Sequence, residues 1–228
     1  MQRNLIVTND GSQSISVPEL HVAYHSIHGA ITESLHVFIE SGWKHILNKF
    51  PGQAVNILEM GLGTGLNVFL TMIEAEKNST VTSYEALELF PLMQEEYCKL
   101  EYASLIEPDK QNLFEDIHSS PWEVETHLTG YFSLTKRNCS LLDYNSSKKF
   151  HLIYFDAFAP AAQPELWTTD VFSKLFSMMK VGGVLVTYCS KGDVRRAMQQ
   201  AGFAVEKLKG PPGKREMLRA SHVEMMGT

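Results

Sequence analysis

The stretch ILEMGLGTGLNVFL, residues 57–70, decides the fold class of this chain. An apolar-rich run typical of a buried strand reaches Glu59, and glycines follow at every second position as Gly61, Gly63 and Gly65. A helical pattern begins at Leu66. Glycine costs conformational entropy, so three in one turn favour a loop that accommodates a ligand over a tight turn alone. In open α/β sheets, ligands bind at this kind of turn.

Strands and helices alternate along the rest of the chain. Apolar runs predict strands at 54–60, 80–86, 131–142, 150–158 and 182–190, and helical periodicity predicts helices at 66–76, 91–105, 168–179 and 193–202. Residues 203–208 and 215–220 are predicted to form a closing hairpin, and 106–130 an irregular segment with a short helix around Trp122. This alternation predicts an α/β fold, a Rossmann-like parallel sheet with helices on both faces.

The first fifty residues differ from this alternation. They predict short strands followed by a helix from Glu33 to Asn48. We therefore expect one globular domain, with residues 1–50 as a strand-and-helix extension packed on a core of residues 51–228.

Composition narrows the class of protein. The 228 residues are 44% hydrophobic with a net charge of −6, which argues against a general nucleic-acid coating protein. The three scattered cysteines form no C-x-x-C motif, so we expect no disulfide framework and no metal site. There is no leader-like apolar stretch and no long apolar run, and we expect a cytoplasmic protein without a membrane segment.

The glycine loop itself selects among nucleotide-like ligands. A phosphate-binding loop needs Lys after its last glycine, and the dinucleotide fingerprint needs glycine where Leu66 stands. Glu59 suits a ligand with a positive end, such as S-adenosylmethionine, which carries an ammonium and a sulfonium and no phosphate. We place Asn67, two residues after Gly65, in the same predicted cofactor site. A turn without a ligand is the alternative.

Two further acids are candidates for that cofactor site. Glu85 lies twenty residues after Gly65 near the end of the next predicted strand, where a carboxylate can bind both ribose hydroxyls. Asp143 ends the candidate third strand, where the adenine amino group is expected. A solvated strand end and a turn-forming aspartate are the respective alternatives.

The stretch HLIYFDAFAPAAQPELW, residues 151–167, carries the predicted chemistry. Asp156 follows an apolar strand, at the edge where the glycine loop also lies. A carboxylate beside Phe155 or Phe158 suits an amine that gains positive charge as it is methylated. We therefore predict Asp156 as the catalytic residue and Phe158 as a substrate contact. A capping role for Asp156 is the alternative.

Five segments together resemble one family, the methyltransferase half of the bifunctional MnmC tRNA-modification proteins. They are HSIHGAITESLHVFI, EMGLGTGLN, SYEALELFPL, YFDAFAPAAQPELWT and VRRAMQQAGFAVEKLKGPPGKREML. The resemblance implies methyl transfer from S-adenosylmethionine to the aminomethyl amine of a wobble uridine in tRNA. It places Glu59, the three glycines and Glu85 in the cofactor site, Asp156 as the catalytic acid and Glu33 near the site. A helix-start glutamate is the alternative for Glu33.

The resemblance also implies partners. The bifunctional relatives continue into an FAD-dependent oxidoreductase, and this sequence ends at Thr228, so we expect only the methylation step here and no FAD. A separate oxidoreductase would then be a partner. Between Lys191 and Arg219 there are eight Lys or Arg against three acids. This predicts a basic C-terminal face for tRNA, with Lys214 and Arg215 held outward on a proline-stiffened loop. A solvated basic hairpin is the alternative.

Two other functions remain open on the same predicted scaffold. A polyamine aminopropyltransferase also uses a sulfonium donor and carboxylates, but it needs more acids around its substrate than the loop after Asp156 offers, where Glu165 stands alone. A non-catalytic tRNA-binding module is predicted to have lost its glycine loop or Asp156, and both are intact.

Overall fold

The computed structural model describes residues 2–224, which form two β-sheets. Their strands are β1 (Asn4–Val7), β2 (Gln13–Val17), β3 (Val22–Ala23), β4 (Val55–Met60), β5 (Thr82–Leu87), β6 (Glu125–His127), β7 (Phe132–Arg137), β8 (Phe150–Phe155), β9 (Met179–Thr187), β10 (Ala204–Lys209) and β11 (Glu216–Ser221). The small sheet has the order β1-β2-β3, and the large one has the order β10-β11-β9-β8-β4-β5-β7-β6. The predicted hairpin is the antiparallel pair β10 and β11.

The helices lie between these strands. They are α1 (Ala30–Ser34), a π-helical segment (Leu35–Trp43), α2 (Lys44–Lys49), α3 (Leu66–Lys77), α4 (Gln94–Tyr97), α5 (Tyr102–Ile106), α6 (Gln111–Ser119), α7 (Thr169–Met178) and α8 (Gly192–Gln200). In the large sheet, β7, β5, β4, β8 and β9 are mutually parallel, and β6 and β11 run antiparallel to them. The edge strand β10 pairs antiparallel with β11. The α/β class predicted from the sequence is confirmed.

The core lies on both faces of the large sheet. Ile57 of β4 and Leu152 of β8 pack on one face with α3, and Leu58 and Ile153, the next residues of the same strands, pack on the other. All four are fully buried. Successive side chains of a strand point to opposite faces, so strands covered on both sides need apolar residues at nearly every position. That requirement explains the continuous apolar runs of the sequence.

The N-terminal segment contributes to this core. In the π-helical segment, Lys44 N–H donates to the Ile39 carbonyl five residues back, and Phe38 packs on Tyr154 of β8 with ring centroids 5.0 Å apart. Gly42 faces the sheet so closely that a Cβ would lie 3.1 Å from the Tyr154 ring and from Val186. The boundary at residue 50 remains a prediction, but the segment before it is part of the main core.

Two predictions of secondary structure were wrong. The helix predicted over 91–105 is two short helices, α4 and α5, separated around Leu100, whose buried side chain belongs to the core. The segment 106–130 contains the helix α6, and Trp122 forms an isolated bridge with Lys136 rather than a helix. Core packing and local turns outweigh weak periodicity in such polar stretches.

Among residues 2–224, no helix has both the length and the apolar character needed to cross a membrane.

Candidate active site

The order of the strands in the large sheet indicates where a ligand-binding site lies. From β4 the chain proceeds through β5 to β7 on one side, whereas β8 and β9 lie on the other side. The order therefore reverses between β4 and β8, and open sheets bind ligands outside the carboxyl ends of strands at such a point. The two ends meet there, because Asp156 N–H donates to the Met60 carbonyl at 3.1 Å.

The glycine loop needs its glycines for backbone conformation and for space. Gly61, Gly63 and Gly65 have φ values of 91°, 52° and 74°, in the left-handed region. A Cβ on Gly63 would lie 2.9 Å from the Tyr24 ring, and one on Gly65 would lie 2.9 Å from His118. The bare backbone therefore serves close packing by side chains as well as ligand approach.

A cavity lies against this loop, with about 690 Å³ of empty space including its open mouth. We call it the glycine-loop cavity. It is lined by residues 24, 25, 60–64, 66, 67, 88–90, 156–158 and 163. Of the predicted site residues, the structure brings Gly61, Gly63, Asn67, Asp156 and Phe158 to its wall.

Asn67 connects two acids at the floor of the cavity. Its Nδ2 donates to Glu59 Oε1 and to Asp156 Oδ2, both at 2.9 Å. Its own Oδ1 and the second Glu59 oxygen are buried with no partner in the described residues. Buried polar atoms without partners are costly, so the Asn67 Oδ1 on the cavity wall is available to a bound ligand with donors.

Glu59 lies behind Asn67 rather than on the cavity wall. It is fully buried, and burial, with the nearby Asp156 carboxyl, raises its pKa well above the usual range despite the Asn67 hydrogen bond. Glu59 therefore reaches the cavity through Asn67. The prediction that the Glu59 carboxylate itself meets the positive end of the ligand is not supported by this placement.

Glu85 does not line the cavity, and Glu88 stands there instead. Glu85 is buried, and its Oε1 accepts a hydrogen bond from Arg137 Nε at 2.8 Å. Glu88 follows the last residue of β5, and its two oxygens accept N–H groups from Gly63 at 3.0 Å and Phe90 at 2.8 Å. The sequence stretch YEALEL holds both acids, and the strand ends at Leu87, two residues after Glu85 and directly before Glu88.

Asp143 is also outside the cavity. It is exposed in the turn after β7, where its N–H donates to the Ser140 carbonyl at 3.1 Å. The turn-forming alternative describes this position. The predicted contact with adenine finds no support in its placement.

A second cavity adjoins the first across Asp156 and Phe158. We call it the Lys214 cavity, and it is lined by residues 21–26, 33, 156–159, 188 and 214. Tyr24 and Phe158, edge to face with ring centroids 5.2 Å apart, line both cavities. Phe155, the other aromatic candidate, is fully buried against Trp167 and contacts neither cavity. The predicted cofactor residue Glu33 lies in this second cavity.

The loop after β8 is held rigidly at the junction of the cavities. Phe158 N–H donates to Gln163 Oε1 at 2.9 Å, and Trp167 Nε1 donates to the Phe158 carbonyl at 2.9 Å. The Tyr188 hydroxyl donates to the Ala157 carbonyl at 2.9 Å. These bonds fix the backbone directly after Asp156, and the bond from Asp156 N–H to the Met60 carbonyl fixes the residue itself, so its carboxyl has a defined direction.

The Asp156 carboxyl titrates near neutrality. Burial and the Glu33 carboxylate raise its pKa to about 7, against the lowering effects of the Asn67 hydrogen bond and the Lys214 charge. A general base works best when its pKa lies near the working pH. Asp156 therefore combines geometry and proton affinity suited to receiving a proton from an amine.

Lys214 points inward, which the sequence did not predict. Its Nζ donates to Glu33 Oε1 at 2.6 Å and lies 3.9 Å from the centroid of the Tyr188 ring. Arg215, the next residue, is exposed. The prediction that both side chains extend outward is wrong for Lys214, because a buried carboxylate and an aromatic face attract its ammonium into the cavity.

The C-terminal basic residues are partly neutralised. Arg196 pairs with Asp193, Lys207 with Glu216 and Arg219 with Glu206. Four of the eight Lys and Arg residues between Lys191 and Arg219 form no ion pair within residues 2–224: Lys191, Arg195, Lys209 and Arg215.

Residues 2–224 as a whole hold no cluster of three or more His, Cys, Asp or Glu side chains arranged to bind a metal ion.

The fold and site together define a class of protein. A family model described as S-adenosyl-L-methionine-dependent methyltransferase matches residues 112–223, about half of this chain. The chain is also 31% identical over 221 residues to the tRNA 5-methylaminomethyl-2-thiouridine biosynthesis bifunctional protein MnmC of Leptospira borgpetersenii. That alignment covers 87% of this chain and 32% of the relative, so the chain spans about a third of the curated protein it matches.

Solved structures agree on the fold. MnmC2 from Aquifex aeolicus superposes with a TM-score of 0.77 at 24% identity, covering 99% of this chain and 73% of that one. Spermidine synthase from Thermotoga maritima has a TM-score of 0.56 at 12% identity, covering 96% of this chain and 68% of that one. At these identities the likeness shows the fold alone. The resemblance to the methyltransferase half of the MnmC proteins is confirmed by the sequence match.

Proposed function

We propose that this enzyme methylates the primary amine of an aminomethyl group on the wobble uridine of tRNA. The observation that carries the proposal is Asp156, which stands at the junction of the glycine-loop cavity and the Lys214 cavity. A carboxyl in that position can face a methyl donor on one side and an amine on the other. The relatives named MnmC act in tRNA modification by name, and we extend that substrate to this chain.

The glycine-loop cavity suits S-adenosylmethionine. The Asn67 side chain lines this cavity, and its buried Oδ1, which has no partner in the described residues, can accept from an ammonium group. Glu88 presents a carboxylate at the end of β5, and we assign it to the ribose hydroxyls in place of Glu85. Three glycines leave the backbone open to the ligand. When bound, S-adenosylmethionine supplies a methyl carbon on a sulfonium, and the sulfur keeps the electron pair of the broken bond.

On the acceptor side, we assign three roles. Asp156 orients the amine through an N–H···O hydrogen bond and accepts the proton that the nitrogen loses after it gains the methyl group. Phe158 stabilises the positive charge that develops on nitrogen with the face of its ring. Glu33 acts through Lys214 rather than on the cofactor, because its carboxylate is already bonded to that ammonium.

We assign tRNA binding to the basic residues of the C-terminal part of the chain that form no ion pair within residues 2–224. Arg215 lies beside Lys214 in sequence and is exposed, and Lys191, Arg195 and Lys209 carry charge not cancelled by described carboxylates. Phosphate contacts of this kind orient a tRNA without reading its sequence. Producing the aminomethyl group is a different reaction, and we assign it to an FAD-dependent oxidoreductase acting outside residues 2–224.

The aminopropyltransferase alternative has less support. Its scaffold matches spermidine synthase in fold alone. A diamine substrate needs acids free to bind its second ammonium, and the second-cavity acid Glu33 already binds Lys214. The Lys214 charge also repels a polycation.

The test is methyl transfer from labelled S-adenosylmethionine to tRNA that carries the aminomethyl wobble uridine. Unmodified tRNA and putrescine serve as controls, and nucleoside mass analysis locates the product. We expect methylaminomethyl uridine with the first substrate alone. Labelled putrescine would favour methyl transfer to a small-molecule amine, and the absence of transfer despite cofactor binding would contradict the proposed substrate.

A further inference from the structure

Lys214 occupies a position where a substrate amine would be expected to bind. Its ammonium is bonded to Glu33 at 2.6 Å, lies 3.9 Å from the Tyr188 ring centroid, and lines the same cavity as Asp156. An acid and an aromatic face are the usual partners of a bound cation. The enzyme has thus placed its own positive charge beside the acceptor site.

The loop around Lys214 is built to hold this inward position. Lys214 N–H donates to the Pro211 carbonyl at 2.9 Å, and Gly210 N–H donates to the Arg215 carbonyl at 3.0 Å. Gly213 has a φ of 84°, and a Cβ there would overlap the His28 ring at 2.0 Å. A side chain at Gly213 would therefore be strained in conformation and would have to displace the exposed His28 ring.

A built-in cation answers a chemical difficulty of the proposed reaction. A primary amine with a lysine-like pKa of about 10.4 is neutral in only about one molecule in 2,500 at pH 7. Its ammonium form has no lone pair and cannot accept a methyl group. Asp156 alone makes this worse, because a carboxylate stabilises the ammonium form.

We propose that Lys214, held over Tyr188 by Glu33, keeps the amine of the bound methyl acceptor in its neutral, nucleophilic form. The proposal rests on the proposed function, since it concerns the amine that function assigns to the Lys214 cavity. A neighbouring ammonium disfavours a second positive charge at short range, as lysines activated beside another cation show. Lys214 is then a residue that sets the protonation state of the substrate rather than a phosphate contact.

Other titratable groups face the same site and fix the sign of the effect. They are Glu33 from α1, His21 before β3, Tyr24 and His25 after β3, Asp156 after β8, Tyr188 and Cys189 after β9, and Glu59 behind Asn67. Burial lowers the pKa of His25 to about 4, so it is neutral at working pH. The opposing charges are therefore Lys214 on one side and the carboxylates of Glu33 and Asp156 on the other.

The test is the pH dependence of single-turnover methyl transfer with enzyme and S-adenosylmethionine saturating, which reports groups in the bound complex. Lys214→Met removes the cation and leaves the Glu33 charge uncompensated. The acid limb of the pH–rate profile should therefore move to higher pH by about 1 unit, with a roughly tenfold loss of the single-turnover rate near neutrality. Glu33→Gln leaves Lys214 uncompensated, so the limb should move down. The double variant should return close to the wild-type limb.

Two further variants separate charge from structure. Lys214→Arg retains the charge and should keep the limb in place. Lys99→Met removes an exposed charge that lines neither cavity and should leave the limb unchanged. Thermal unfolding of each variant verifies that it is folded.

The outcomes are distinct. Opposite shifts in the two single variants that persist when Asp156 is also replaced with Asn support the proposal, because the Asp156 carboxyl responds to Lys214 and Glu33 in the same directions. Shifts that disappear in the Asp156→Asn background would assign the limb to Asp156 and overturn the proposal. An unmoved limb in Lys214→Met and Glu33→Gln, with a changed salt dependence of tRNA binding, would overturn it in favour of a phosphate contact while leaving the proposed function intact. If the wild-type enzyme transfers no methyl group to the aminomethyl tRNA at any pH, the proposed function fails and this inference with it.

Discussion

Asp156 and Asn67 form the smallest unit of the site that explains its chemistry. The amide Nδ2 holds the Asp156 carboxyl and the buried Glu59 carboxyl at 2.9 Å each, while the amide oxygen stays without a described partner. Because Glu59 is fully buried and its pKa is raised by that burial, it anchors Asn67 without competing as a base. Of these two acids, only Asp156 lines both the glycine-loop cavity and the Lys214 cavity.

Replacing Asp156 with Asn should separate cofactor binding from methyl transfer. Asn keeps the shape and can still accept from Asn67, but it cannot take a proton, so we expect a rate loss of about 10²- to 10⁴-fold. In the wild type the rate should fall as the pH drops through about 7, because the carboxyl becomes protonated there.

Single-turnover rates and calorimetric binding of S-adenosylhomocysteine measure the two effects. Asp143→Asn, an exposed aspartate after β7, is the matched control and should change neither. Near-normal turnover in Asp156→Asn would remove this carboxyl from the mechanism.

Glu88 and Glu85 offer a direct test of which acid holds the cofactor. Glu88→Gln removes a carboxylate from the glycine-loop cavity, and charge-assisted hydrogen bonds contribute about 1.5–3 kcal/mol, so affinity should fall roughly 10- to 100-fold. Glu85→Gln breaks the ion pair with Arg137 and should lower the free energy of unfolding instead.

Calorimetric titration with S-adenosylhomocysteine and urea unfolding of both variants separate these effects. The reverse pattern, with affinity lost in Glu85→Gln and retained in Glu88→Gln, would restore the assignment made from sequence.

At the scale of elements, the π-helical segment Leu35–Trp43 joins the N-terminal part of the chain to the sheet. Its residues Phe38 and Trp43 are almost fully buried, and Gly42 lets the helix backbone approach β8 and β9. Glu33 is in α1, directly before this segment. The packing of the segment therefore fixes where Glu33, and with it Lys214, stands relative to Asp156.

Gly42→Ala should destabilise the protein through this contact. The new methyl would lie 3.1–3.2 Å from Tyr154, Val186 and Leu152 side chains, tighter than ordinary contact. Overpacking of a close-packed core typically costs about 1–3 kcal/mol. Urea unfolding measures the change.

The control for that variant is Gly130→Ala. Gly130 is exposed, and nothing lies within 4 Å of its added Cβ, so the free energy of unfolding should stay equal or rise slightly. Equal stabilities for the two variants would show that the helix can shift away from the sheet without cost.

Across the whole molecule, sequence predicted what periodicity and spacing determine. Alternating strands and helices, the glycine loop and Asp156 at a strand end follow from local rules. The choice between Glu85 and Glu88, three residues apart, depended on where β5 ends. Sequence patterns do not locate the end of a strand to within three residues. The direction of Lys214 depended on Glu33, 181 residues away in the chain. Charge counting alone assigned Lys214 to the surface.

The stability of the whole fold should fall on acidification because of buried histidines. Burial lowers the pKa of His25, His118 and His151 to about 4. Unfolded histidines take up protons below about pH 6.5, so between these values the unfolded state binds more protons, and each histidine contributes a slope of up to about 1.4 kcal/mol per pH unit.

Asp156 and Glu59 act in the opposite direction. Their raised pKa values mean that the folded state holds protons which the unfolded state releases, from about pH 7 downward for Asp156. Three histidines against two acids leave a net loss of stability as the pH falls from about 6.5 towards 4.

Two measurements check this balance. Urea unfolding across that range should show the decline, and NMR of labelled histidine rings should show at least three of the nine imidazoles remaining neutral at pH about 5.5, where exposed ones are mostly protonated. Nine imidazoles titrating near pH 6.5, together with a flat stability curve, would contradict the prediction. Such a result would mean that water reaches these rings in solution, and that the closed packing of His25 and His118 around Thr64 opens readily at the edge of the glycine-loop cavity.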